Sequence, residues 1–186
     1  MGDLADIDEW RAIESAGGPL VLLPDRARGD WTGVAGNDYG RACGVDGYLG
    51  VLDVGDDQAL VIGDEPASAA LFPTRAADSV VIAKWAYGPD PPGVVASVRA
   101  VRLDGFPPAE VKFTFRSSPQ SLFDSGVPGD EVEERLTAQL PAGDYVASTL
   151  VFNPARDVSL VLHWVRPSGH PDDQPLQRTG RASRFT

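Results

Sequence analysis

The chain of 186 residues holds one cysteine, one methionine and two histidines, and it contains no run of 18 consecutive apolar residues. A single thiol, Cys43, excludes an internal disulfide and any multi-cysteine zinc site. The missing apolar run excludes a membrane-spanning helix of ordinary length. The opening stretch carries Asp3, Asp6, Asp8 and Glu9 where a cationic segment followed by an apolar one would mark a signal peptide, so none is expected and the cytoplasm is the default location. The phosphate-cradling G-x-x-x-x-G-K-[ST], a G-x-G-x-x-G opening a helix, and the zinc-binding H-E-x-x-H are also missing, so neither cofactor nor metal is expected. Lysine is scarce too: 14 of the 16 bases are arginine.

Acid is plentiful. The net charge is −11, and residues 1–93 hold 16 acids against 6 bases where residues 94–186 hold 11 against 10. The excess therefore belongs to the first half. Such a field repels nucleic acid and anionic membrane and draws in a basic partner.

Short apolar runs separated by turn residues dominate the rest. Leu20 to Leu23, Tyr48 to Val54, Ala59 to Ile62, Val80 to Tyr87, Val111 to Phe115, Leu136 to Leu140, Tyr145 to Phe152 and Val158 to Val165 have the length and the β-branched or aromatic content of strands. This predicts a mainly β fold with few short helices, its antiparallel sheets arranged as a sandwich. A Gly-Asp-Asp connection closes a hairpin between Val54 and Gln58. The last three runs, joined by Pro141-Ala-Gly-Asp and Asn153-Pro154, read as a three-strand meander. Leu4, Ile7, Trp10 and Ile13 permit a short helix over 4–13, while 93–101 suits a helix or a strand equally. One mostly β domain is expected over 1–166, large enough to bury roughly 70% of its unfolded surface. The Pro-, Gly- and Arg-rich stretch 167–186 reads as a mobile tail.

Residues 14–21, E-S-A-G-G-P-L-V, come close to the G-D-S-G-G-P-L-V around a trypsin-like nucleophile. The chemistry does not follow. Ala16 occupies the reactive position, Ser15 lies one residue early, and the only bases, His163 and His170, lie far downstream. Gly17 and Gly18 are expected to supply positive φ for a turn before the Leu20 strand. Further on, Asp38 and Arg41 are spaced to pair on a single helical turn, whose inward face would carry Tyr39 and Cys43. Only Arg41 is close enough in sequence to activate Cys43, a weak basis for a nucleophile. Asp64 and Glu65 close the Ala59 strand, and with Asp56 or Asp124 they could be imagined as a glycosidase-like pair, although turn chemistry accounts for each. His163, within a strand, reads as a structural histidine.

The segments W-x-x-I-E-S-x-G-G-P-L-V-L-L-P (Trp10 to Pro24), W-x-G (Trp31 to Gly33), D-Y-x-R-A-C (Asp38 to Cys43), G-Y-L-G-V (Gly47 to Val51), A-L-V-I-G-D-E-P (Ala59 to Pro66) and L-F-D-S (Leu122 to Ser125) occur here in one order. In this the chain resembles the immunity protein 21 family of bacterial polymorphic toxin systems over roughly 10–166. The resemblance implies a mostly β, non-catalytic inhibitor that protects the producing cell by binding a cognate toxin. A toxin of nuclease type presents a cationic groove, which carboxylates and aromatics can fill in place of nucleic acid. On that reading the contact residues are Asp30, Trp31, Asp38, Tyr39, Asp64 and Glu65. Two other classes stay open: a small β hydrolase using paired carboxylates, and a carbohydrate-binding β domain with a platform from Trp31, Trp85 or Trp164.

Overall fold

Strands that read as unbroken apolar runs need cover on both faces, and the molecule provides it by stacking four layers. The structure, a computed structural model, describes residues 3–5, 10–63, 65, 68–87, 91–156 and 158–169. Its elements in chain order are β1 (Ala12–Glu14), β2 (Leu20–Pro24), α1 (Asp38–Cys43), β3 (Leu49–Val54), β4 (Asp57–Ile62), β5 (Ser68–Pro73), β6 (Val80–Tyr87), α2 (Pro91–Arg99), β7 (Val111–Phe115), β8 (Gln120–Asp124), β9 (Leu136–Ala138), β10 (Gly143–Ala155) and β11 (Val158–Pro167). The fold is mainly β, with two antiparallel sheets and few short helices. One sheet runs β1-β5-β6-β11-β10-β7 and the other β3-β4-β2-β8-β9.

The alternation of side chains along each strand assigns the three cores. Leu20, Leu22, Leu60, Ile62, Ile82, Phe115 and Val165 fill the space between the sheets. The opposite face of the six-stranded sheet, with Leu160, Leu162 and Trp164, packs on Val94 and Val98 of α2, four residues apart on one helix face. Val21, Leu23 and Val61 on the outer face of the five-stranded sheet lie under Ala27, Trp31 and Ala42 of the loops and α1. The segment 93–101 thus resolves as a helix ending at Arg99.

The β3–β4 hairpin closes where expected, but on the two-residue turn Gly55-Asp56, with Gly55 at φ +56° and the third residue of the Gly-Asp-Asp connection, Asp57, already paired with Val54 in β4. Three expectations need correction. The run from Leu136 does not join a meander: β9 pairs with β8 in the five-stranded sheet, and the second neighbour of β10 is β7. The turn after Leu140 carries the chain from one sheet to the other, and the Gln120 amide fixes that crossing by donating to Leu140 O at 3.0 Å and accepting from Leu140 N at 3.0 Å. No helix spans 4–13, since Leu4 bridges Thr74 and Ala12–Glu14 is the edge strand β1; residues 6–9 lie outside the described residues. Only Gly17 of the glycine pair has positive φ, +117°; Gly18 is needed for space, because a Cβ there would stand 2.6 Å from Tyr39 Cε2. All but the first residues of the expected tail lie outside the described residues.

Candidate functional site

The connection between β2 and β3 carries four of the six expected contact residues, and buried polar bonds shape it. Trp31 is buried in the core, its Nε1 donating to Ser125 O at 2.9 Å. Asp38 opens α1, and its carboxylate accepts from Thr32 N at 2.8 Å, Thr32 Oγ1 at 2.6 Å and Arg41 Nη1 at 2.8 Å. Burial opposes its charge, but the Thr32 and Arg41 donors outweigh that and hold its carboxyl below the ordinary carboxylate range. The Arg41 guanidinium also donates to Asp53 O, tying α1 to β3. The pairing of Asp38 with Arg41 is thus as the spacing foretold, but the inward face is not: Asp38 and Ala42 are buried, Tyr39 is half-buried and Cys43 is exposed. Ser15, beside the protease-like string, is spent on its own turn, accepting from Gly18 N and donating to Gly18 O.

The six residues do not share one face. Asp30 is exposed at the Gly55 turn, where a Cβ on Gly55 would meet its carboxylate at 2.6 Å. Glu65 is exposed beyond Ile62, at the other end of β4. Trp31 and Asp38 are inside, Tyr39 lies against Gly18 and Gly126, and Asp64 is outside the described residues. Of the imagined carboxylate pairs, Asp124 pairs with Leu20, itself opposite Ile62, and so lies toward the Glu65 end of the sheet, while Asp64 is outside the described residues. Asp56 sits at the Gly55 turn, a strand length from Glu65. Six residues at about 3.3 Å each make roughly 20 Å, well beyond the reach of paired glycosidase carboxyls, about 5–9.5 Å. As a sugar platform the tryptophans fare no better: Trp31 and Trp164 are buried, and Trp85 packs tilted against Trp10, their ring centroids 5.6 Å apart.

A larger acidic surface draws on both halves of the chain. A groove of about 280 Å³ lies between β1 and the chain leading into β9, lined in part by Glu14, Asp124, Glu131, Glu133 and Glu134. Arg11 and Arg135 line the adjoining groove. Asp124 is engaged by Ala16 N and Gly126 N, while Glu131, Glu133 and Glu134 accept no hydrogen bond among the described residues. The run Glu131-Val-Glu-Glu134 was visible in the sequence, but its approach to Glu14 was not. These carboxylates and Glu65 lie toward the Ile62 end of the sandwich; Asp30, Asp53 and Asp56 lie at the other.

At the Ile62 end a polar string runs under Tyr48. Glu110 accepts from Thr149 N at 2.6 Å and from Thr149 Oγ1 at 3.2 Å. The Thr149 hydroxyl also lies 3.2 Å from His163 Nδ1, and His163 Nε2 is buried with no hydrogen-bond partner among the described residues. Full burial, reinforced by the charge of Lys84, pushes the imidazole down to about 3. Lys84, also buried, donates to Gly63 O, and Gly63 N donates to Tyr48 O at 2.9 Å. The Tyr48 and His163 ring centroids are 6.4 Å apart. Isolated charge that deep is tolerated only when bonded, and Lys84 meets that condition.

Among the described residues no helix is long and apolar enough to cross a membrane, and no group of three or more His, Cys, Asp or Glu side chains is placed to hold a metal ion. No curated protein and no solved structure matches the chain. A family model, immunity protein 21, matches residues 9–157, a span that takes in the Trp31 loop, the Tyr48 strand, the acidic groove and β10, and ends just before β11. Immunity proteins of this kind act on a partner toxin and are generally not enzymes. With most of its length matched, the chain belongs to the immunity protein 21 family, and its role is in toxin immunity.

Proposed function

We propose that the protein neutralises a cognate toxin domain by stoichiometric binding in the cytoplasm of the producing cell, with residues 1–166 as the binding unit and no substrate turned over. The observation that carries this reading beyond the family is the set of exposed carboxylates at the Ile62 end, Glu131, Glu133 and Glu134 with Glu14 and Glu65, which few bases offset. A toxin of basic, nuclease type is the complement such a surface selects, and the chain's charge of −11 speeds the encounter. The acidic face is a composite of both halves of the chain. Of the six residues first singled out, Glu65 falls at this end as a contact, and Asp64, outside the described residues, stays a proposed contact from its place beside Glu65 in the sequence. Asp30 adds long-range charge from the far end, and Trp31, Asp38 and Tyr39 hold the loop in shape.

The test is co-expression with the toxin encoded beside this chain, together with calorimetry of the purified pair. Rescue and a stoichiometry of one are expected; absence of both rescue and binding discards the proposal.

A further inference from the structure

Three large apolar side chains are exposed among the described residues: Val34 at 64%, Tyr48 at 44% and Val151 at 49%. Two of the three belong to one patch. The ring of Tyr48 lies over His163, His163 faces Thr149 across the β10–β11 pair, and Val151 stands two residues beyond Thr149 on the same face, opposite Val161.

The patch exists because the two sheets differ in reach. β10 and β11 are 13 and 10 residues long, whereas β3 and β4 have six each. Past Thr149 the β10 side of the hairpin's inner face has outrun the sheet that covers the rest of it and leaves Val151 exposed, while Val161 opposite it on β11 stays buried. The outer face of the same segment is covered, since Leu150, Phe152, Val158 and Leu160 pack in the α2 core. One side of the hairpin is therefore closed and the other open along β10. Exposed acids neighbour the opening along the chain and by bonding, Asp46 two residues before Tyr48, Glu65 two after Gly63, and Glu110 on Thr149, with Arg156 exposed at the hairpin tip. The Lys84 ammonium is withdrawn onto Gly63 O, and beneath Tyr48 lies a buried imidazole whose Nε2 has no hydrogen-bond partner among the described residues.

We infer that this patch anchors the toxin, Tyr48 and Val151 receiving a basic loop or helix of the partner whose apolar residues seat on them while its Lys or Arg side chains meet Asp46, Glu65 and Glu110. The inference rests on the proposed function and names the anchor within its binding end. A half-exposed tyrosine over a packed base, ringed by polar groups, is the arrangement that concentrates binding energy at an interface. Charge decides between occupants. A second copy of this chain would set carboxylate rim against carboxylate rim, whereas a cationic segment neutralises it.

The experiment measures association and dissociation of the full-length chain with its toxin for the wild type, Tyr48→Ala, Val151→Ser and the triple variant Glu131→Gln, Glu133→Gln, Glu134→Gln. Because Val151 is half exposed and bears on no hydrogen bond, its variant keeps the test alive if Tyr48→Ala does not fold. Dissociation at least about tenfold faster for Tyr48→Ala and severalfold faster for Val151→Ser is expected, with association little changed. The triple variant is expected to associate more slowly and dissociate normally. Dissociation within twofold of wild type for both anchor variants overturns the anchor while leaving the immunity reading intact. A free chain whose dimeric mass falls to monomer in Tyr48→Ala, with toxin dissociation unmoved, overturns it in favour of a self-interface. A wild-type chain that does not bind the toxin at all overturns both.

Discussion

Asp38 and His163 are both buried and titratable, yet they carry opposite consequences because one is saturated with donors and the other lacks a partner on one side. Removing the Asp38 carboxylate leaves Thr32 N, Thr32 Oγ1 and Arg41 without their shared acceptor. Asp38→Ala is expected to cost about 1–3 kcal/mol, read as a loss of several degrees in Tm by calorimetry, with Asp38→Asn recovering part of it. His163 sets a pH dependence. Its folded pKa, about 3, lies below the ordinary 6.5. Between those values the unfolded chain binds a proton that the folded chain refuses, so stability is full above 6.5 and falls as the pH drops toward 3. The expected slope is about 1.4 kcal/mol per pH unit below 6, measured by urea unfolding at pH 5 and pH 7. His163→Gln keeps a polar side chain without titrating there, and should flatten that difference; an unchanged slope in the variant would place its origin elsewhere.

Elements show how local signals succeed and where they stop. The β3–β4 hairpin was readable because its turn chemistry is contained in two residues. The Leu136 strand was readable as a strand, but its partner was not, because pairing was settled by Gln120 across the sheet and by burial of Leu136, Ala138 and Leu140 between the sheets. Another such long-range fixture is Gly129. Its N–H donates to Trp31 O at 2.8 Å, its carbonyl accepts from Arg28, and a Cβ added there would collide with the backbone of Arg28. Gly129→Ala should therefore displace the 3-10 turn Asp25–Asp30 and cost about 2–3 kcal/mol, seen as a lowered urea midpoint. Gly29→Ala, with nothing near its Cβ position, serves as the neighbouring control. In that 3-10 turn, Asp25 is held below its usual range by the Ser121 hydroxyl in the first place, which also anchors the turn to β8.

Across the whole molecule, charge sets what can be measured from outside. If carboxylates at the Ile62 end drive the encounter with the toxin, the association rate should fall at least severalfold between about 50 mM and 500 mM salt, while dissociation stays nearly constant. A rate indifferent to salt would remove the electrostatic part of the proposed mechanism. The sequence by itself determined the fold class, the hairpin turn, the Asp38–Arg41 pair and the family, because these rest on periodicity, short spacings and ordered motifs that survive in one dimension. It counted the acids but misplaced them. Glu14 and Glu133 are 119 positions apart, and only the packing of β1 beside β9 brings them to one groove. Likewise, Trp31 could be read as a contact because loop residues are usually accessible, and only the third core showed that this loop folds inward as a layer. The tertiary structure alone decided which acids share an end and left Tyr48 and Val151 uncovered there, because exposure depends on where one sheet outruns the other, a difference in strand length that no local pattern records.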